Sequence, residues 1–107
     1  SVYDIAEGRT PLMHAVRTGT AKGVDALVKA GAKVNGIDNQ KSTALHIGAE
    51  SNNVTLDKIE ILIEAGADPN AKNGEGNTAL DLAKTRRDDD GAAIVEYLST
   101  LTKANTE

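Results

Sequence analysis

The two histidines are the residues of this chain best suited to catalysis or metal binding. His14 lies four places after Thr10, whereas His46 lies three places after Thr43, so the two rings should point in different directions. A zinc site needs about three or four protein ligands, and the chain has no cysteine to add to the histidines. No nucleophile, base and acid fall together around either ring. The sequence therefore predicts no catalytic, cofactor-binding or metal-binding residues, and we expect a protein that is not an enzyme.

Two other stretches have the composition of ligand-binding loops but lack the required spacing. The acidic run 88–90 is consecutive, whereas a calcium loop alternates its ligands and ends in a glutamate. We expect a solvated loop whose last member, Asp90, caps the following helix, while Arg86 and Arg87 offset its charge. The glycine-rich run 73–76 lacks the lysine and hydroxyl of a phosphate loop, and it predicts a tight turn instead.

The composition narrows the class of partner. The formal net charge is −4, with 12 basic and 16 acidic residues, and no basic cluster suited to nucleic acid is present. No apolar run approaches the roughly 20 residues of a membrane-spanning helix. We therefore expect neither nucleic acid nor a membrane as partner. The location is unknown from these data; a cytoplasmic one is favoured, and a signal peptide removed before Ser1 stays open because the chain does not begin with Met.

The elements that would position any site recur along the chain. Thr10, Thr43 and Thr78 each open a similar unit, and the spacings between them are 33 and 35 residues. Each unit contains two helical patterns separated by a polar break, and glycine ends the second pattern at Gly31 and Gly66. A fixed period near 33 residues is typical of a solenoid of stacked repeats.

The pattern also predicts the bounds of the elements. One domain, 1–107, would contain repeats at about 7–39, 40–74 and 75–101, followed by a polar tail at 102–107 outside any helix. Leu62 falls on the apolar face of its helix and should lie in the core. The predicted helices cover about 11–18, 21–30, 44–51, 56–65, 79–85 and 92–101, and Thr55 is expected to cap the fourth of them.

The repeated motifs resemble the ankyrin repeat over essentially the whole of 8–98. The family's T-P-L-H-x-A signature is approximated by Thr10-Pro11-Leu12-Met13, Thr43-Ala44-Leu45-His46 and Thr78-Ala79-Leu80-Asp81, together with the glycine turns 30–35 and 65–70. The resemblance implies an all-α solenoid of stacked antiparallel helix pairs with β-hairpin-like finger loops. It also implies a structural role for His46, whose ring would bond the Thr43 hydroxyl and nearby backbone.

The resemblance further implies a non-enzymatic module, expected to be monomeric, that binds another protein through a concave surface of fingers and first helices. Alternatives are a structural spacer or capping segment of a larger protein, or a regulatory subunit of an enzyme. The spacing of Leu62, Asp68 and Asn70 also resembles that of ankyrin asparagine-hydroxylation sites, although Asn70 is better explained as stabilising its turn. The residues expected on the binding surface are Glu7, Arg9, Arg17, Thr18, Asn39, Gln40, Ser42, Glu50, Ser51, Glu75, Asn77, Thr85 and Arg86.

Overall fold

The computed structural model describes residues 10–51 and 54–106, with side chains described as far as residue 101. The regular elements of this part of the chain are all helices, as the repeat pattern predicts. In chain order they are α1 (Pro11–Thr18), α2 (Ala21–Lys29), α3 (Ala44–Glu50), α4 (Leu56–Glu64), α5 (Ala79–Ala83) and α6 (Asp89–Thr106).

The first helix of each repeat begins at the predicted threonine. The hydroxyl oxygen of Thr10 accepts a hydrogen bond from the Met13 amide at 3.2 Å. The hydroxyl oxygens of Thr43 and Thr78 likewise each accept from the amide three residues later in the chain. Such caps satisfy amides that have no partner inside the helix. Thr55 occupies the equivalent place before α4, but its hydroxyl donates to the Asp57 carboxylate and makes no side-chain cap bond.

Glycine turns end the second helices of the first two repeats. Gly31 and Gly66 adopt φ angles of 98° and 106°, in the left-handed region that favours glycine. Beyond them, the Ala32 amide donates to Leu27 O at 3.0 Å and the Ala67 amide to Leu62 O at 2.9 Å. This pairing satisfies the last carbonyls of α2 and α4, and it turns the chain back towards the next repeat.

Stacking of like helices builds the core. α3 contacts α1 on one side and α5 on the other, and α4 contacts α2 and α6 in the same way. Short aliphatic side chains fill the space between the two layers, which explains how a chain with only two tyrosines as aromatic residues can form a continuous core. The largest fully buried apolar side chains are Leu12, Met13, Val16, Val24, Leu45, Val54, Ile59, Leu62, Ile94 and Leu98.

α6 is longer than the sequence pattern predicts. It begins at Asp89 and continues to Thr106, so the backbone of the predicted tail is helical up to that residue. Its start is capped by Asp88, whose carboxylate accepts from the Gly91 amide at 3.2 Å, and the prediction that Asp90 is the cap is wrong. The helix continues because no glycine follows Leu101, and Lys103 and Ala104 favour helix.

Within residues 10–51 and 54–106, no helix is both long and apolar enough to cross a membrane.

Candidate functional site

Equivalent positions on the three first helices carry exposed polar side chains. Arg17 of α1, Glu50 of α3 and Thr85 just after α5 are separated by the repeat spacings and are all exposed. Since these helices pack side by side, the three positions form a row across the repeats. Their immediate neighbours Val16 and Ala49 are fully buried, so the row marks the edge where the core meets solvent.

A hydroxyl group finishes the last turn of each first helix. Thr18 donates to His14 O at 3.0 Å, Ser51 to Ile47 O at 2.6 Å, and Thr85 to Leu82 O at 2.7 Å. The three acceptor carbonyls occupy equivalent repeat positions, and Leu82 O also accepts from the Thr85 amide at 3.1 Å. The predicted surface residues Thr18, Ser51 and Thr85 therefore also complete the helices, and of the three Ser51 is half-buried.

The finger turns, defined as residues 36–42 before α3 and 71–77 before α5, are closed by the same device. Asp38 Oδ1 accepts from the amides of Gln40 and Ser42 at 2.8 and 3.0 Å. Asn73 Oδ1 accepts from the amides of Glu75 and Asn77 at 2.9 and 3.1 Å. An acceptor side chain that folds its own turn in this way is a standard role of Asp and Asn. The glycine-rich run is thus the tight turn that the sequence predicts.

The two finger turns are joined to each other. The Gly74 amide donates to Gln40 O at 2.8 Å, and a Cβ built on Gly74 would lie only 2.9 Å from that oxygen. Gln40, Asn73, Gly74 and Glu75 line a shared depression of about 290 Å³. The structure therefore brings Gln40 and Glu75, which the sequence places 35 residues apart, to one site.

Two residues expected on the surface are buried. Ser42 is 4% exposed because it lies in the closed finger turn, and Arg86 is 8% exposed. The guanidinium of Arg86 donates to Val54 O at 2.9 Å and to Gly48 O at 3.5 Å, and its Nη2 atom lies 2.5 Å from Asp88 Oδ2. Arg86 thus joins the third repeat to the second and is not a surface residue.

Lys58 makes a similar contact one repeat earlier, which no pattern in the sequence predicts. It is a buried lysine of α4 whose Nζ donates to Val16 O, near the end of α1, at 3.1 Å. Basic side chains can hydrogen-bond the last carbonyls of a helix and interact favourably with its dipole. Lys58 and Arg86 therefore both complete the first helix of the preceding repeat.

His46 has the structural role that the resemblance implies. The ring is 1% exposed, its Nδ1 accepts from the Thr43 amide at 3.1 Å, and its Nε2 lies 2.9 Å from Asn77 O in the next repeat. Because Nδ1 accepts a backbone proton, Nε2 carries the proton that is donated to Asn77 O. His14, by contrast, is exposed on α1, with Nε2 3.5 Å from the Thr18 hydroxyl oxygen.

Replacing His46 with leucine should lower the free energy of unfolding by about 1–3 kcal/mol, because the buried Thr43 amide and Asn77 O lose their partner. Urea denaturation followed by circular dichroism measures the change. The matched control is His14→Leu, which alters an exposed ring and should change stability by no more than about 0.5 kcal/mol. Equal stability of the two variants would contradict the assignment of His46 as a link between repeats.

The remaining residues predicted on the binding surface differ in their exposure to solvent. Asn39, Gln40 and Glu75 are exposed and Asn77 is half-buried, whereas Glu7 and Arg9 lie outside the described residues. The structure adds one residue that the sequence analysis missed. Ile37, 55% exposed in the first finger turn, is the large hydrophobic side chain that the described part of the chain leaves in solvent.

Two ionisable groups are perturbed by their surroundings. The hydrogen bond from Arg86 lowers the pKa of Asp88, and the positive charge of Arg86 acts in the same direction. Partial burial raises the pKa of Tyr97, and the negative charges of Glu60 and Glu64 add to that effect. The first shift arises within the loop between α5 and α6, and the second arises where α6 packs against α4. Among the described residues, no group of three or more His, Cys, Asp or Glu side chains could hold a metal ion.

Comparison with known proteins agrees with this architecture. The family model described as ankyrin repeats (3 copies) matches residues 1–73. The chain is 38% identical over 84 residues to the B-cell lymphoma 3 protein homolog of Mus musculus, covering 78% of this chain and 18% of that protein. It is 39% identical over 80 residues to Inversin of Mus musculus, covering 75% of this chain and 7% of the relative.

A third relative is named as an enzyme. Palmitoyltransferase ZDHHC17 of Homo sapiens is 42% identical over 80 residues, which cover 73% of this chain and 12% of that protein. The chain thus spans less than a fifth of the length of each of these relatives. Ankyrin repeats are generally protein–protein interaction modules, and the family is typically non-enzymatic. With the helix pairs, the matching family model and these similarities together, the chain belongs to the ankyrin-repeat family.

Proposed function

We propose that this chain binds another protein through its inner surface, defined as the exposed residues Arg17, Thr18, Asn39, Gln40, Glu50, Glu75 and Thr85 with the half-buried Ser51 and Asn77. The observation that carries the proposal is the row formed by Arg17, Glu50 and Thr85. Val16 and Ala49 beside this row are core residues, yet the row itself presents a cation, an anion and a neutral hydroxyl in succession. A pattern of alternating charge is suited to selecting one partner over others.

The finger turns would add a preformed contact to this row. Gln40 and Glu75 line one depression, and the Gly74 amide holds the two turns together at Gln40 O. A surface that is already ordered loses little conformational entropy on binding. Ile37 supplies an apolar contact at the edge of the first turn. The proposed partner therefore presents charged and polar groups around at least one apolar side chain, and its association should weaken as salt increases.

The test is a charge exchange that keeps the net charge at −4, namely Arg17→Glu combined with Glu50→Lys. The natural chain and the variant are immobilised and exposed to a lysate of the source organism at low salt, and retained proteins are identified by mass spectrometry. We expect a protein that the natural chain retains and the variant loses. The loss should be large, because two attractive charge contacts become repulsive.

The matched control exchanges charges on the second helices with Lys22→Glu and Glu64→Lys, both at exposed positions. This variant should retain the same partner as the natural chain. An identical set of proteins from all three chains would contradict a binding site on the inner surface. An empty result from all three would favour a structural segment, a function consistent with the small share of each longer relative that the chain spans.

A further inference from the structure

We propose that Asn35 is a site of spontaneous deamidation whose product weakens the contact between the first and second repeats. Asn35 is followed by Gly36, and Asn73 by Gly74. An asparagine that precedes glycine is the most susceptible kind, because glycine has no Cβ to obstruct its own backbone nitrogen and gives the chain freedom to bend into the reactive geometry. Such a modification is independent of whether the inner surface binds a partner.

The reaction needs only water as co-reactant. The backbone nitrogen of Gly36 attacks Cγ of Asn35, so an N–Cγ bond forms while the Cγ–Nδ2 bond breaks. The Gly36 amide proton is lost, and Nδ2 leaves as ammonia. Water then opens the resulting cyclic imide at one of its two carbonyl carbons and yields aspartate or isoaspartate. No oxidation or reduction occurs.

The amide that would be lost joins two repeats. Asn35 Nδ2 donates to Gly66 O at 3.0 Å, and Asn35 Oδ1 accepts from the Asp68 amide at 2.9 Å. These bonds tie the turn after α2 to the turn after α4. An aspartate at position 35 keeps an acceptor for the Asp68 amide but has no donor for Gly66 O. It also places a carboxylate oxygen where the donor was, and two oxygen atoms then face each other.

The chain contains two natural comparisons for Asn35. Asn70 occupies the equivalent position in the second repeat but is followed by Ala71. Asn73 precedes a glycine, but the Gly74 nitrogen that would attack is held by a bond of 2.8 Å to Gln40 O.

The corresponding bond at Asn35 is longer, because the Gly36 amide donates to Lys33 O at 3.3 Å. The side chains of Asn35 and Asn73 each make two hydrogen bonds, but Asn35 is exposed whereas Asn73 is half-buried. We therefore expect Asn35 to react while the chain is folded, and Asn73 to react mainly once the finger turns separate.

The experiment incubates the whole 107-residue chain at mildly alkaline pH, folded in buffer and unfolded in urea, and follows both sites by peptide mass spectrometry. In the folded chain, product should accumulate at Asn35 ahead of Asn73 and Asn70. In urea, the rates at Asn35 and Asn73 should converge, because the surrounding hydrogen bonds are gone. Equal rates at Asn35 and Asn73 in the folded chain, or no product at Asn35, would overturn the proposal.

The matched control is Gly36→Ala, which gives the first repeat the Asn–Ala pair of the second. A Cβ at position 36 would meet its nearest neighbour at 3.5 Å, an ordinary contact, so this variant should fold normally. It should slow the formation of product at Asn35 towards the rate at Asn70 and keep the rate at Asn73 unchanged. An unchanged rate at Asn35 in this variant would contradict attack by the backbone nitrogen of residue 36.

The structural half of the proposal is tested with Asn35→Asp. This variant should melt about 4–8 °C below the natural chain, the shift that the loss of one net hydrogen bond produces in a domain of this size. Asn70→Asp, at the equivalent exposed position, introduces the same charge and should leave the melting temperature close to that of the natural chain. Equal melting temperatures for the two variants would show that Asn35 does not tie the repeats together.

Discussion

Replacing Arg86 with methionine should lower the free energy of unfolding by about 2–6 kcal/mol, because two buried carbonyl oxygens each lose a donor at about 1–3 kcal/mol. The acceptors are Val54 O and Gly48 O in the second repeat, and the Asp88 carboxylate loses its cation at the same time. Methionine fills most of the space left by the aliphatic stem, so the effect measures lost polar contacts and not a cavity. Urea denaturation at constant slope gives the change.

The adjacent arginine provides the control for this variant. Arg87 is exposed where Arg86 is buried, so Arg87→Met should change stability by no more than about 0.5 kcal/mol. Both variants remove the same charge from the same loop. A similar urea midpoint for the two variants would show that the buried contacts of Arg86 add nothing to stability beyond the charge that both variants remove.

The same pair of variants should differ in acid. The pKa of Asp88 in the folded chain lies below its ordinary value of about 3.9 because Arg86 donates to its carboxylate. A lowered folded pKa contributes stability that is present above the unfolded pKa and is lost as the pH falls through the folded value. Arg86→Met should remove this contribution, so its melting temperature should fall less steeply with acid than that of Arg87→Met.

Truncating Leu62 to alanine should cost about 2–5 kcal/mol of unfolding free energy, the range for a buried leucine whose removal leaves a cavity. Leu62 is fully buried on α4, between the helix layers, so the stacked repeats around it cannot close the space easily. Thermal and urea melting of the variant measure the loss. The total free energy of unfolding of a domain of this size is only about 5–15 kcal/mol. A substantial fraction of the variant molecules should therefore be unfolded in mild denaturant.

A substitution at a neighbouring position of α4 serves as the control, because it changes the same helix at a less buried side chain. Ile61 is only partly buried, so Ile61→Ala removes a similar volume where solvent already reaches the side chain. Its cost should fall clearly below that of Leu62→Ala. If both variants melt alike, the core does not centre on Leu62 as the structure indicates.

Much of this fold follows from interactions between residues close in sequence. Thr10, Thr43 and Thr78 each bond an amide three residues ahead, so their type and position predict three helix starts correctly. Gly31 and Gly66 likewise end helices through a backbone conformation that disfavours other residues. The exposure of Arg17 and Glu50 also follows, since the repeat spacing places both at the end of a helix.

The buried basic residues could not be predicted in this way. Arg86 reaches acceptors 32 and 38 residues earlier in the chain, and Lys58 reaches one 42 residues earlier. Charged side chains are buried only where they find hydrogen-bond or charged partners. The partners here are backbone carbonyls, which every residue type possesses, so no residue type marks their position. Sequence alone therefore placed Arg86 on the surface. The joining of the finger turns was missed for the same reason, since the Gly74 amide binds a backbone oxygen.

The buried basic contacts give the stack a direction. Lys58 of the second repeat donates a hydrogen bond to Val16 O of the first, and Arg86 of the third donates one to Gly48 O of the second. The second and third repeats therefore each supply a buried basic donor to the repeat before them. Detachment of the third repeat would leave two buried carbonyls of the second, Gly48 O and Val54 O, without the Arg86 donor. Detachment of the first would remove the Asn35 donor from Gly66 O, but Gly66 is exposed and its carbonyl can bind water instead. Unravelling should spread more readily from the later repeats to the earlier ones than in the opposite direction.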